Sequence, residues 1–141
     1  MATYNKFNDF VEQLGLAKHD LSAAGHVFKC YLSNTAPDAA LDTVKADLAE
    51  ITAGNGYTAG GEDMQNGWSE ASGTATATAV DIVWTAAGGS IGPARYVAAY
   101  NDTQTSPVDP LVSWWDYGSS ITVLAGETFT VDFGASWFTL A

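Results

Sequence analysis

The stretch from Thr74 to Asp102, TATATAVDIVWTAAGGSIGPARYVAAYND, limits what the chain can fold into more than any other part of it. Val80, Ile82 and Trp84 alternate with Ala79, Asp81, Val83 and Thr85, and alternation is the period of a β-strand, whose successive side chains point to opposite faces. From Ala86 to Pro93 the chain supplies Gly88, Gly89, Gly92 and Pro93, residues that permit positive φ or fix a bend. Alternation then resumes, with Tyr96, Ala98 and Tyr100 on one face and Arg95, Val97 and Ala99 on the other. The connection is longer than a two-residue turn, so the arms either pair directly or pass to different sheets. Both outcomes require an all-β protein.

At 141 residues the chain has the size of one domain, enough to bury roughly 70% of its unfolded surface around a single core. A hydrophobic fraction of 47% against 15% charged residues excludes an intrinsically disordered chain, despite the 14 glycines. Five Lys or Arg against sixteen Asp or Glu give a net charge of −11. That charge repels phosphate backbones and anionic lipid, which argues against nucleic-acid and membrane-surface partners, and it suits docking onto a basic protein surface. Cys30 is the single cysteine, so no internal disulfide forms; between Phe28 and Leu32 in alternation it reads as a buried apolar thiol. MATYNKFNDF lacks a basic run followed by an apolar one, and no later segment approaches membrane-spanning length. The expectation is synthesis in a cytoplasm without export by a cleaved signal.

Taken in order, Tyr4, Phe7, Phe10, Val11 and Leu14 recur at helical spacing, so residues 4–14 read as a short amphipathic helix or as an extended arm lying on a partner. Residues 1–14 thus precede a single β-domain, residues 15–141. The aromatics Tyr4, Phe7 and Phe10 are too many for a solvated tail and are expected to dock on a neighbouring subunit. Leu16 to Leu32 reads as a hairpin around SAAG, its second arm placing His26, Phe28, Cys30 and Leu32 on one face. Pro37-Asp38 is a helix entry, and Leu41, Val44, Leu48 and Ile51 recur at three- and four-residue steps, predicting an amphipathic helix near 38–51 that covers a flank of the sheets. Residues 53–67 and 101–110 read as polar loops. Leu111 to Tyr117 is a strand, and Ser119–Leu124 with Glu127–Phe133 reads as a hairpin about Ala125-Gly126. In its second arm Glu127, Phe129, Val131 and Phe133 lie on one face, the buried one, opposite Thr128, Thr130 and Asp132, which face water. Ser136 to Leu140 closes the chain as a strand inside a sheet. About seven or eight strands separated by turn signals predict a β-sandwich of jelly-roll-like type.

Motifs of catalysis are missing from the sequence: it contains no HExxH, GxSxG, CxxC or P-loop. His19 and His26 flank the first turn and with Asp20 supply three donors of the kind a metal needs, but they read as two partly exposed surface histidines. Asp102, Asp109 and Asp116 fall seven apart, whereas a calcium loop concentrates its carboxylates at alternate positions; they read as solvated charges. Asp81, Asp116 and Asp132 lie on strands with nothing to pair them as glycosidase acids. Arg95, the single arginine, is expected to satisfy an acidic neighbour. The reading is therefore of a protein that is not an enzyme and carries no metal or cofactor. Aromatics stand out instead. In a strand Trp114 and Asp116 face one side and Trp115 and Tyr117 the other, so one aromatic face is left over from the core. Together with Trp68 beside the glycine-rich loop they are candidates for a protein interface or a sugar platform.

KFNDFVEQL, KCYLSNTAP, EITAGNGYTAGG, VWTAAGGSIGPARYVAAYNDT and DPLVSWWDYGSSITVLAGETFTVDF follow one another in that order. With these segments the chain resembles a group of small structural proteins of tailed bacteriophages, described as head decoration (cement) proteins or phage structural proteins. GYTAGG (56–61), ARYVAAYND (94–102) and DYGSS (116–120) carry the resemblance most distinctly. It implies a β-sandwich that oligomerises, as a trimer, on the icosahedral shell of the major capsid protein, and hence a place on the virion surface. The aromatic residues keep open an alternative, a carbohydrate-binding module of a tail or fibre.

Overall fold

The computed structural model describes residues 2–141. Ten strands and one α-helix follow in the order β1 (Tyr4–Lys6), α1 (Asn8–Gly15), β2 (Phe28–Ser33), β3 (Glu62–Asp63), β4 (Gly67–Ala71), β5 (Thr74–Thr78), β6 (Ile82–Thr85), β7 (Ile91–Asn101), β8 (Leu111–Val123), β9 (Thr128–Val131) and β10 (Phe138–Leu140). The expected all-β class holds. The strands form antiparallel sheets of five, three and two, in the orders β1-β8-β7-β2-β3, β10-β5-β4 and β6-β9. The two arms of the central stretch do not pair with each other. β6 joins β9, and β7 crosses over to become the middle strand of the five-stranded sheet, between β8 and β2.

Alternation along β7 and β2 divides the interior in two. Val97 and Ala99, with Phe28, Cys30 and Leu32 opposite them, face the smaller sheets and meet Ala77, Ile82, Trp84, Phe129 and Val131. This is the main core, a sandwich with the five-stranded sheet as one layer and the two smaller sheets as the other. Ala98, Tyr100 and Tyr31 face outward and form a second cluster with Phe7, Leu48 and Leu111. A polar clamp closes that face. The Glu50 carboxylate accepts from Tyr57 Oη, the Gly60 amide and Lys45 Nζ, each at 2.7 Å, and Lys45 lies 4.8 Å from the centre of the Tyr31 ring. Tyr31 Oη donates to Leu48 O (3.0 Å) and Tyr100 Oη to Gly60 O (2.8 Å), so residues 48–60 are held against the sheet by satisfied buried hydroxyls. Burial pushes the Tyr31, Tyr57 and Tyr100 phenols well above their ordinary pKa, which keeps them neutral donors.

Several expectations are corrected. No helix spans 38–51; the segment holds a short turn and a 3₁₀ turn, Lys45–Asp47. Asp38 Oδ1 accepts from the amides of Ala40 and Leu41, and Asp47 Oδ2 from those of Thr43 and Val44. Local carboxylates thus take the donors a helix would use, while Val44 bridges to Pro110 and Leu111 N donates to Thr43 O. Leu41, counted in the apolar stripe, is 75% exposed. The first arm of the predicted hairpin at 16–32 is coil, although its turn is real: His26 N donates to Asp20 O and Gly25 N to Ser22 O. The hairpin at 119–133 does not form. Glu127 N donates to Leu124 O with Gly126 at φ 90°, while Ala125 keeps a negative φ. That is the pattern of a type II turn, which splays its flanking strands instead of continuing their twist. β8 therefore stays with β7, and β9 leaves for β6. β10 lies at the edge of its sheet, not inside it.

The N-terminal segment is part of the fold. Tyr4, Asn5 and Lys6 pair with Trp115, Trp114 and Ser113 of β8, and the chain then crosses the sheet edge. Phe7 falls in the outer cluster and Phe10 in the main core, 0% and 4% exposed. α1 has no side-chain N-cap and is eight residues long, so packing of Phe10 and Leu14 sustains it, not its own propensity. The expected division into an arm and a domain is replaced by one packed unit.

Candidate interaction surface

β8 outruns its neighbour. β1 covers it only from Ser113 to Trp115, while β8 itself continues to Val123. Across the sandwich β9 pairs with β6 alone. These two uncovered edges lie on the same side of the molecule, and between them opens a cleft of about 340 Å³. Trp115, Tyr117, Phe129 and Val131 give it an apolar lining with Val97 behind, Ala2 of the N-terminal segment adds a small apolar contact, and Thr130 and Asp132 add polar groups. Tyr117 is 55% exposed and its ring centre stands 5.4 Å from that of Phe129. Trp115 makes edge contacts with Tyr4 (6.1 Å) and Phe133 (5.6 Å), favourable for ring quadrupoles and rigid for a surface aromatic.

The DYGSS bulge shapes this wall. The register against β7 jumps between Tyr96↔Asp116 and Ala94↔Ile121, leaving the intervening residues of β8 looped out. Asp116 anchors the bulge: Arg95 donates to both of its oxygens (2.8 and 3.0 Å), and Gly118 N donates to Oδ1 (2.8 Å). The guanidinium and this amide hold the Asp116 carboxyl below its usual range. Arg95 thus satisfies an acidic neighbour, as expected.

The predicted interface residues separate into different places. Trp115 and Tyr117 line the cleft, and Tyr4 packs on Trp115 and Phe138, where burial raises its phenol to about 12. Phe7 and Phe10 are core, so neither is a docking residue. Trp114 packs on Phe7 at 4.6 Å on the outer face, and Trp68 lies half-buried 6.1 Å from Phe138. The sequence does not mark Phe129, Val131, Thr130 and Asp132 as lining a surface cleft. Their alternation is legible, but a hairpin with 119–124 would have covered them.

Elsewhere the chemistry is structural. His19 is buried, not a surface histidine, and with His26 it flanks the amide of Asn101: Asn101 Nδ2 lies 3.1 Å from His19 Nδ1 and 2.9 Å from His26 Nδ1. Asn101 Oδ1 accepts from the amides of Thr103 and Gln104, which fixes the NH₂ group toward the imidazoles and makes both Nδ1 atoms acceptors. Burial, helped by the charge of His26, lowers His19 to about 4. Cys30 is fully buried and its thiol is pushed up by burial, the inert thiol expected. Asp102 pairs with Lys29 (2.9 Å). Among the described residues no group of three or more His, Cys, Asp or Glu is placed to hold a metal ion, and no helix is long and apolar enough to cross a membrane. Compared with models of known families, with curated proteins and with solved structures, the chain matches none.

Proposed function

We propose that the protein is a structural component of a tailed-bacteriophage virion, a capsid decoration protein that binds the shell of major capsid protein as an oligomer and stabilises the head. The observation that carries this reading is how the three distinctive segments of the resemblance fit together. GYTAGG is tied to ARYVAAYND by the Tyr100–Gly60 hydrogen bond, and ARYVAAYND to DYGSS by the Arg95–Asp116 fork. The segments that resemble phage structural proteins are thus one connected framework, from which Val97 and Tyr117 reach the cleft. Support comes also from the net charge of −11, suited to a basic protein surface, and from an exposed aromatic edge with no acid–base or nucleophile constellation beside it.

The test is co-sedimentation of the purified protein with expanded capsids that lack it, at native salt, combined with analytical ultracentrifugation of the free protein. Saturable binding and raised thermal stability of the capsid are expected; no binding to any capsid surface removes the proposal. The carbohydrate-binding alternative needs several aromatics in one platform. Trp68, Trp114 and Trp115 instead lie in separate environments, with Tyr117 the open ring. Glycan-array binding accompanied by tryptophan quenching would favour it over the capsid reading.

A further inference from the structure

We infer that the cleft beside β9 is a strand-addition site, and that its occupant is an extended segment of another protein in which apolar residues alternate with Lys or Arg. The inference stands whichever assembly the protein belongs to. It begins with the backbone. Ala86 N donates to Glu127 O at 2.9 Å, and in an antiparallel ladder the groups aimed at the partner recur at every second residue. Glu127, Phe129 and Val131 therefore face β6, and the N–H and C=O of Thr128 and Thr130 face away from it. Among the described residues no backbone or side-chain group bonds to these outward groups. An uncovered strand edge of this kind is a template for another strand.

The side chains specify the kind of strand. The cleft floor of Trp115, Tyr117, Phe129 and Val131 takes the inward residues of an added strand, which recur in alternation just as β9's own do. Its outward residues meet a carboxylate. Asp132 is the one titratable acid in the lining, with Oδ1 held by Gly134 N–H and Oδ2 without a partner among the described residues. Among the described residues no Lys or Arg lines the cleft, and Lys29, Lys45 and Arg95 are engaged with Asp102, Glu50 and Asp116. A basic segment is drawn to this edge, whereas a second copy of a chain carrying −11 brings like charge to it.

The test uses the full chain and two short synthetic peptides, one alternating valine with lysine and the other valine with glutamate. Amide exchange is followed by NMR and Trp115 by fluorescence. The lysine peptide is expected to slow exchange at Thr128 and Thr130 and to change the tryptophan emission, and the glutamate peptide to do neither. Thr130→Pro removes an outward donor while sparing the ladder to β6, as proline on an edge strand can, and should abolish the effect. Asp132→Lys, which keeps every backbone donor, should weaken binding about tenfold or more; it serves alone if Thr130→Pro does not fold. Four results overturn the inference: no binding of the lysine peptide, equal binding of both peptides, protection at the edges of β3 or β4 instead, or the same amides protected by raising the protein concentration without peptide, which would make the occupant a second copy.

Discussion

Gly61 shows how a single residue can hold two parts of this fold together. It has a φ of 76°, and a Cβ built on it would overlap the backbone carbonyl of Cys30 in β2. Gly61→Ala therefore combines left-handed strain with a collision against a central strand that cannot give way, and should leave little folded protein at 37 °C. Gly126 shares the positive φ but has nothing near its Cβ position, so Gly126→Ala should cost only about 1 kcal/mol. Thermal melts of the pair separate the two contributions; equal losses would mean that the close approach to Cys30 does not matter. At Phe129 the burial face read from alternation is correct, since the ring is 8% exposed and contacts Trp84 and Tyr117. Phe129→Ala should lower stability by about 3 kcal/mol, the low end for such truncations because the ring borders a cleft and leaves no closed cavity. An unchanged denaturation midpoint would place the ring outside the core.

Among the elements, what was legible followed from side-chain alternation, and what was not depended on where each strand finds its partner. β2, β7, β8 and β9 all lie where period-two patterns predicted. The missing helix at 38–51 and the splayed strands at 119–133 were decided by other forces: carboxylates of Asp38 and Asp47 capturing nearby amides, and the twist of a type II turn. The cleft was hidden for the same reason, because its two walls come from strands that sequence proximity paired wrongly. The N-terminal segment gives the sharpest test at this scale. Deleting residues 2–14 removes β1 from the edge of β8 and two buried phenylalanines, each worth roughly 1.5–3 kcal/mol. It also uncovers Trp114 and His19, which contact Phe7 and Phe10. The truncated chain should be insoluble or unfold in far less denaturant than the full chain. A truncated form that melts like the parent would restore the view of this segment as a docking arm.

For the molecule as a whole, acid should act in two stages, one from a buried histidine and one from the excess of carboxylates. The folded protein holds His19 near pKa 4, below its ordinary 6.5, because the ring is buried and the charge of His26 lies close by. Phe10 and Phe28 flank the ring at 5.3 and 5.7 Å, and neither can solvate a charge. The unfolded chain therefore takes up this proton first as pH falls. Stability from neutral His19 is complete above about pH 6.5, drains away between 6.5 and 4, and changes no further below that, with a total of up to about 3 kcal/mol. Asp20, Asp47 and Asp116 have folded pKa values below the ordinary 3.8, held down by hydrogen bonds from Ser22, from the Thr43 and Val44 amides and from Arg95. Their contribution is present above the unfolded value and is lost only as pH falls below it. Urea denaturation at pH 7.5, 4 and 2.5 should show the first loss between the first two points and the second beyond them. His19→Gln should flatten the curve between pH 7.5 and 4 while keeping the loss at pH 2.5. If that variant retains the full slope above pH 4, the proton is taken up elsewhere, and the Asn101 cluster is not the group that sets acid stability.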